Sequence, residues 1–400
     1  MTSTVANHPR KHLRLAQTFF AGVALVILAA RSLPPLCYTN KELLGEYLTA
    51  LALRDRVDVF TPLTDLSALY FPVVNTFFPH PNTHPPVLTL AAVPLTLLPY
   101  PVITYLWLAL NVAVLVAVGR WLGFSVHGSL ALMAWPPVWM VLDMGQWELI
   151  LLALVLVGWR AADAGRDWRA GACLGLAAVI KLYPALLLLP FMVRRRIGIV
   201  LAAGVMLTLG HLGSLLVVGP AGLVRYYLEI LPYWARLNTA GFFNSSPYGA
   251  LLRLFGRAGD VKPLIQMPEI VLPLTLGLSL VAILALAVLR PEAGAVAMLV
   301  TLPNVWPNYA TLALPQIVAL LRRPDLRPTA ILAAGATSFA PPVYLLLMLA
   351  PVLVSIHWGG YHALTVLTAI QPAGYLGLLL LSAALAAEVK ASAGGRVSLA

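Results

Sequence analysis

Charge is sparse in this chain: 10% of its 400 residues are charged, and only 15 are acidic. Cysteine is scarcer still. The two that exist, Cys37 beyond the first apolar run and Cys173 inside a later one, are too differently placed for a disulfide framework, a zinc set or a CxxC redox pair. Walker, GxGxxG, HExxH and GxSxG patterns are absent, and with them the soluble-enzyme chemistries those motifs carry. What remains is apolar, with 60% hydrophobic residues and a mean hydropathy of +0.87. A soluble domain of this size has too little interior to hide that much apolar surface, so the composition specifies a polytopic membrane protein.

Apolar runs recur at the length needed to cross a hydrocarbon core of roughly 30 Å, about 20 helical residues. They fall near 15–34, 101–118, 128–142, 147–162, 170–192, 197–218, 269–289, 294–321, 328–356 and 363–387. Breaks or double passes in the last three put the expected count at about ten to twelve. Backbone polar groups cannot face lipid unpaired, and the runs do not alternate, so the expected fold is an all-α helical bundle and not a barrel. A single transmembrane domain is expected over 15–390, between an N-terminal segment 1–14 and a tail 391–400.

A formal net charge of +11 would suggest nucleic acid as a partner in a soluble protein. Here the basic residues, among them Arg120, Arg160, Arg194 to Arg196, Arg322 and Arg323, lie in short segments between apolar runs. The positive-inside rule assigns such segments to the cytoplasm, so no nucleic-acid partner is expected. With Arg10, Lys11 and Arg14 they place the N-terminus inside and two long loops, about 35–86 and 219–266, outside. No small-residue cleavage site precedes Arg31-Ser32-Leu33-Pro34-Pro35, so the first run is expected to stay as an anchor. Basic residues flank the 170–192 run at both ends, and Lys181-Leu182-Tyr183-Pro184 is expected to break it midway into two half-helices.

The first long loop gathers acidic residues. Glu42 and Glu46, four apart, share one face of a helix over Glu42 to Leu53. Each is either a solvated surface charge or a base poised near apolar surface. Asp58 is a weaker candidate, because arginines nearby offer it partners. His80 and His84 are also four apart, but Pro81 and Pro85 forbid a regular helix through them, so metal-ligand geometry fails and no metal is expected. The second loop carries Arg225-Tyr226-Tyr227 and Pro232-Tyr233-Trp234-Ala235-Arg236, a density of aromatic residues and arginine that suits a helix in the headgroup zone.

The order of several stretches resembles a known family. Tyr47 to Ala50, Val59 to Leu63, His84-Pro85-Pro86 leading into Val93 to Pro99, Gly145-Gln146, Ala178 to Pro184, Asn244-Ser245-Ser246 and Pro303 to Tyr309 follow the pattern of glycosyltransferase family 87 over roughly 40–320. That family comprises bacterial mannosyltransferases of GT-C architecture that use polyprenol-phosphate-linked mannose. Two positions depart from it. The family places an aspartate after the first helix, where this chain has Asn40, Lys41, Glu42 and Glu46, and often a histidine where Asn308 stands.

The resemblance implies transfer of a hexose, most readily mannose, from a polyprenyl-phosphate donor to a lipid or glycan acceptor at the outer face of a bacterial cytoplasmic membrane, without a cofactor. The expected base is Glu42 or Glu46, with Asp58 in reserve. His84, Gln146, Lys181, Tyr183, Arg225, Arg236, Asn244, Ser245, Trp306 and Asn308 are expected at the substrates. Lys181 in an apolar run either faces phosphate or pairs with a buried acid. Gln146 and Glu148 either hold a sugar hydroxyl or start a helix. Arg225, Arg236 and Arg253 either grip the donor's phosphate or snorkel to lipid headgroups. A transporter or flippase without chemistry, or an inactive assembly partner, are the rival classes, though no inverted repeat supports the first.

Overall fold

The computed structural model describes residues 8–34, 36–38, 42–72, 79–256, 263–288, 291–338 and 358–394, and every regular element among them is helical. Asn40 and Lys41, Phe77 and Phe78, the end of the 328–356 run and the last six residues lie outside the described residues. Among the described residues five helices are long and apolar enough to cross a membrane, in His12–Arg31, Tyr100–Trp121, Ile197–Arg236, Pro268–Ala287 and Leu367–Ala386. A sixth crossing arises if Pro136–Met144 and Glu148–Asp163, bent by 115° at their junction, count as one span. The chain is an all-α polytopic membrane protein.

Several apolar runs are interrupted, each at a residue that explains the interruption. The 170–192 run is helical to Ile180, then continues as a 3-10 turn over Tyr183–Leu188 and a short helix over Leu189–Val193. Pro184 sits at the start of that turn, where its missing N–H costs no hydrogen bond. The 294–321 run divides at 302–306 into Pro291–Thr301, a 3-10 stretch over Pro307–Ala313 and Leu314–Leu321.

The chain divides into two compact units. The first comprises Met1–Leu154, Val179–Lys181 and Met206–Trp234. In it, α1 (His8–Arg31) is followed by α2 (Glu42–Arg54), which is buried from Leu43 to Ala52. Burial all round explains why so short a helix is so apolar. It packs against α3 (Leu63–Tyr70), α4 (Pro86–Ala92) and α5 (Tyr100–Trp121), with Leu44, Leu48, Leu66, Tyr100 and Ile103 in the shared core. The bent pair, α6 (Pro136–Met144) and α7 (Glu148 onward), joins at Gly145, whose φ of +67° is the left-handed cap that commonly ends a helix. A Cβ at Gly145 would lie 2.9 Å from Cβ of Leu43, so this turn presses directly on the start of α2.

One further bend shapes this unit. The helix α8 (Ile197–Arg225) is broken at Gly219-Pro220, with Gly219 at φ +67° and ψ 178°, and then continues through a π-turn at Tyr226–Ile230 into α9 (Leu231–Asn238). A straight helix would separate His211 and Tyr227, 16 residues apart, by about 24 Å. Their side chains instead touch, Tyr227 Oη at 2.6 Å from His211 Nε2, so the chain turns back on itself at Gly219. Gly219 permits the positive φ and Pro220 cannot continue the ladder, a pairing that marks a turn in sequence.

The second unit comprises Val155–Ala178, Leu182–Val205 and Ala235–Ala400. It contains α10 (Pro247–Phe255), α11 (Pro268–Val288), α12 (Pro291–Thr301), α13 (Leu314–Leu321), α14 (Arg327–Thr337) and α15 (Trp358–Gly394). Its interior is tied by polar side chains. Gln316 donates to the Leu378 carbonyl at 2.8 Å, and Gln371 donates to that of Thr337 at 2.9 Å.

Candidate functional site

Glu42 and Glu46 do share one face of α2, and that face meets the loop over residues 79–85. Glu46 is buried, its carboxylate side chain 2% exposed. Its Oε1 is hydrogen-bonded to Nδ1 of His84, and its Oε2 accepts from Asn82 Nδ2 at 3.2 Å. Glu42, one turn earlier and 24% exposed, has Oε2 3.8 Å from Nε2 of the same imidazole. Asn82 closes the network by accepting the His84 backbone N–H at 3.1 Å and reaching Thr49 Oγ1 at 3.4 Å.

Glu42 lines a shallow cleft, bounded also by Gly45, Leu63, His80, Asn82, Thr83 and Trp234. The returning segment after Gly219 builds one wall. Tyr226 donates to the Thr83 carbonyl at 2.9 Å, and the Trp234 ring lies 4.0 Å from that of His80. Burial pushes the His80 imidazole below its ordinary titration range, against the opposing pull of the Pro81 carbonyl and of Glu42. From the outgoing segment, Ser214 Oγ accepts the Val87 N–H at 3.1 Å and so caps the start of α4. A carboxylate at a cleft beside aromatic walls can take a proton from a hydroxyl that enters it.

Asp58, the other first-loop acid expected at the site, does not line this cleft. Asp58 pairs with Arg225 at 2.9 Å on the exposed surface, so these two expected site residues neutralise one another. Asp58 also accepts the Phe60 N–H at 2.9 Å, a local turn contact. Arg236 is exposed on α9.

Lys181 follows the second course open to it in the sequence. Its Nζ donates to Glu148 Oε1 at 2.6 Å and to Gln146 Oε1 at 2.9 Å, all three side chains being buried. Gln146 and Glu148 stand at the turn that opens α7, so a buried acid and an amide meet the lysine where the 170–192 run breaks.

The expected residues of the second unit form a hydrogen-bonded knot. Asn244 Nδ2 donates to the Thr239 and Pro303 carbonyls, each at 2.8 Å, and its Oδ1 accepts from the backbone of Ser246 and Val305. Ser245 donates to Gln371. Arg253 is a correction to the phosphate-gripping alternative: it is fully buried, and its guanidinium donates to the carbonyls of Gly241 at 2.7 Å and Asn244 at 2.9 Å and to Thr368 Oγ1 at 3.1 Å. Trp306 and Phe243 line a second hollow, their rings 6.4 Å apart. Tyr183 packs its ring 4.9 Å from Tyr309. Asn308 is completely buried, and neither of its amide atoms has a hydrogen-bond partner among the described residues.

Asn82, Thr83 and Trp234 are the cleft residues that sequence reasoning missed. Asn82 had a signal, a short polar residue between prolines two positions before His84. Trp234 reaches the cleft only because the chain turns back at Gly219. Among the described residues no group of three or more His, Cys, Asp or Glu side chains is arranged to hold a metal ion.

The bundle and the buried carboxylates define an integral membrane protein with acid–base groups at a cleft. The profile of glycosyltransferase family 87 matches residues 82–315, more than half of the chain, and the protein belongs to that family. The match begins at Asn82, so it takes in the loop facing the carboxylates and not the carboxylates themselves. The polyprenol-phosphate-mannose-dependent alpha-(1-2)-phosphatidylinositol pentamannoside mannosyltransferase of Mycolicibacterium smegmatis (strain ATCC 700084 / mc(2)155) is 33% identical over 231 residues, 54% of this chain and 53% of that protein. The protein of the same name from Mycobacterium tuberculosis (strain CDC 1551 / Oshkosh) is 32% identical over 203 residues, 47% of this chain and 46% of its own length. The chain thus spans about half the length of the curated relatives it matches. No solved structure matches it.

Proposed function

We propose that this protein transfers a mannosyl group from a polyprenyl-phosphate donor to a hydroxyl of a lipid or glycan acceptor, at the outer face of the bacterial cytoplasmic membrane. The observation that carries the reading is Glu42, a partly exposed carboxylate lining a cleft that also takes Asn82, Thr83 and Trp234 from the family-matched stretch. The names of the two relatives support the donor, and the basic segments between apolar runs support the sidedness.

In the reaction the acceptor oxygen attacks the anomeric carbon while the bond from that carbon to the phosphate oxygen breaks. Polyprenyl phosphate leaves with the electron pair, and the acceptor's proton passes to the Glu42 carboxylate. Glu46 is ill placed for that step, since both its oxygens are engaged in a buried network. The cleft's aromatic wall, Trp234, offers a face for a sugar ring. Asn308, with its unpaired buried amide, and Trp306 and Tyr183 are the substrate candidates of the second unit, where Asn244 and Ser245 hold loops in place; within the first unit Gln146 and Lys181 hold the turn at the start of α7.

The test is reconstitution with radiolabelled polyprenyl-phosphate mannose and a lipid extract. Label in a product that resists mild acid, which cleaves the donor, supports transfer. Label crossing the bilayer still attached to its carrier would replace this reading with that of a flippase.

A further inference from the structure

One imidazole serves two carboxylates in this site, and we propose that His84 is a positioning residue that fixes Glu42 at the cleft and is itself held by Glu46 and Asn82. The inference rests on the reading of Glu42 as the base. Glutamates four apart on a helix repel each other when both are ionised. An imidazole between them has a nitrogen for each, Nδ1 bonded to Glu46 Oε1 and Nε2 3.8 Å from Glu42 Oε2.

The arrangement is rigid on one side and open on the other. Glu46 cannot swing away, because its second oxygen accepts from Asn82, and Asn82 in turn holds the His84 backbone. Pro81, Pro85 and Pro86 limit the backbone on either side of this pair. Glu42 alone faces the cleft, so restricting its rotamers places its oxygen for the hydroxyl proton. No bond to His84 forms or breaks in the reaction; the ring acts through Glu42.

A double-mutant cycle tests this. His84→Gln should lower kcat about tenfold or more while the KM for polyprenyl-phosphate mannose stays within twofold, and it should cause no further loss in a Glu42→Gln background. Asn82→Ala, which leaves the imidazole in place but loosens Glu46, should give a smaller loss of the same kind. Full additivity of His84→Gln with Glu42→Gln, or a raised KM with unchanged kcat, would overturn the inference and leave the mannosyltransferase reading standing.

A second measurement needs no activity. In protein labelled with ¹⁵N-histidine, the pair of ring signals that vanishes in His84→Gln should respond one nitrogen at a time. Glu42→Gln should move the Nε2 signal, Glu46→Gln the Nδ1 signal, and Asp65→Asn, on the exposed end of α3, neither. An Nε2 signal that ignores Glu42→Gln refutes the coupling even if no polyprenyl-phosphate sugar proves to be a donor.

Discussion

Two buried charge centres lie in the first unit, and they are built to opposite ends. At Lys181 a cation meets a carboxylate, Glu148, and the Gln146 amide, and all three side chains are buried. At His84 two carboxylates share one imidazole, and the less buried of them, Glu42, faces a cleft. The first centre joins two chain breaks and the second leaves negative charge in reach of a ligand. Low polarity around a site does not by itself mark chemistry; an excess of acid over base at an opening does.

The largest expected effect falls on the closed centre. Lys181→Met strands the Glu148 carboxylate in the interior, a loss of about 3–5 kcal/mol for a buried pair broken from one side. It should appear as a lowered thermal transition in detergent. A variant as stable as wild type that no longer binds polyprenyl-phosphate mannose would place Lys181 at the donor and erase the contrast between the centres.

Glu42→Gln should act in the opposite way, lowering kcat about a hundredfold, roughly 2.7 kcal/mol in the barrier, with thermal stability unchanged. Full activity in this variant would move the base elsewhere, Asp143 being the next acid to examine although Arg31 holds it at 2.9 Å. Asp58→Asn should cost less than about 1 kcal/mol in stability, since its bond to Arg225 is exposed to water, and should leave transfer nearly intact. A large loss of activity there would extend the reactive centre to the surface.

The smallest effect concerns acid. Burial lowers the folded-state pKa of His80, so the unfolded chain binds the proton more readily and stability falls as pH drops below the ordinary histidine value of 6.5. His80→Gln should flatten that dependence in thermal melts between pH 7 and pH 5. An unchanged slope would assign the acid sensitivity to another group.

Much of the site was legible because helical spacing is local. Glu42 and Glu46 fall on one face by counting residues, and Lys181 announces itself as an ionisable group in an apolar run. Whether such a lysine faces phosphate or an acid depends on which turn packs beside it, and that turn, with its glycine at Gly145, is 35 residues away from Lys181 at Gln146. Arg253 misled for a related reason: an arginine in a loop-flanking helix looks available until backbone carbonyls from 241 and 244 are seen around it. The helical class and the break at Pro184 follow from composition and proline chemistry alone, whereas the place of the break at 302–306 does not. Trp234 in the cleft could not be read without the bend that precedes it.

That bend makes the segment after Gly219 a lever. From Ala221 to Trp234 it is about 21 Å long at helical rise, pinned along its length where Tyr227 meets His211 and Tyr226 meets Thr83. A rotation of about 10° at the elbow would carry its tip through about 4 Å, enough to lift the indole off His80. Alanine at Gly219 would have to adopt a positive φ that a Cβ disfavours, although among the described residues the added methyl would meet no other side chain within 4 Å. The shape of the cleft therefore depends on the backbone of a residue with no side chain, and accessibility of Trp234 to a quencher in Gly219→Ala would register its displacement before any change at Glu42 itself.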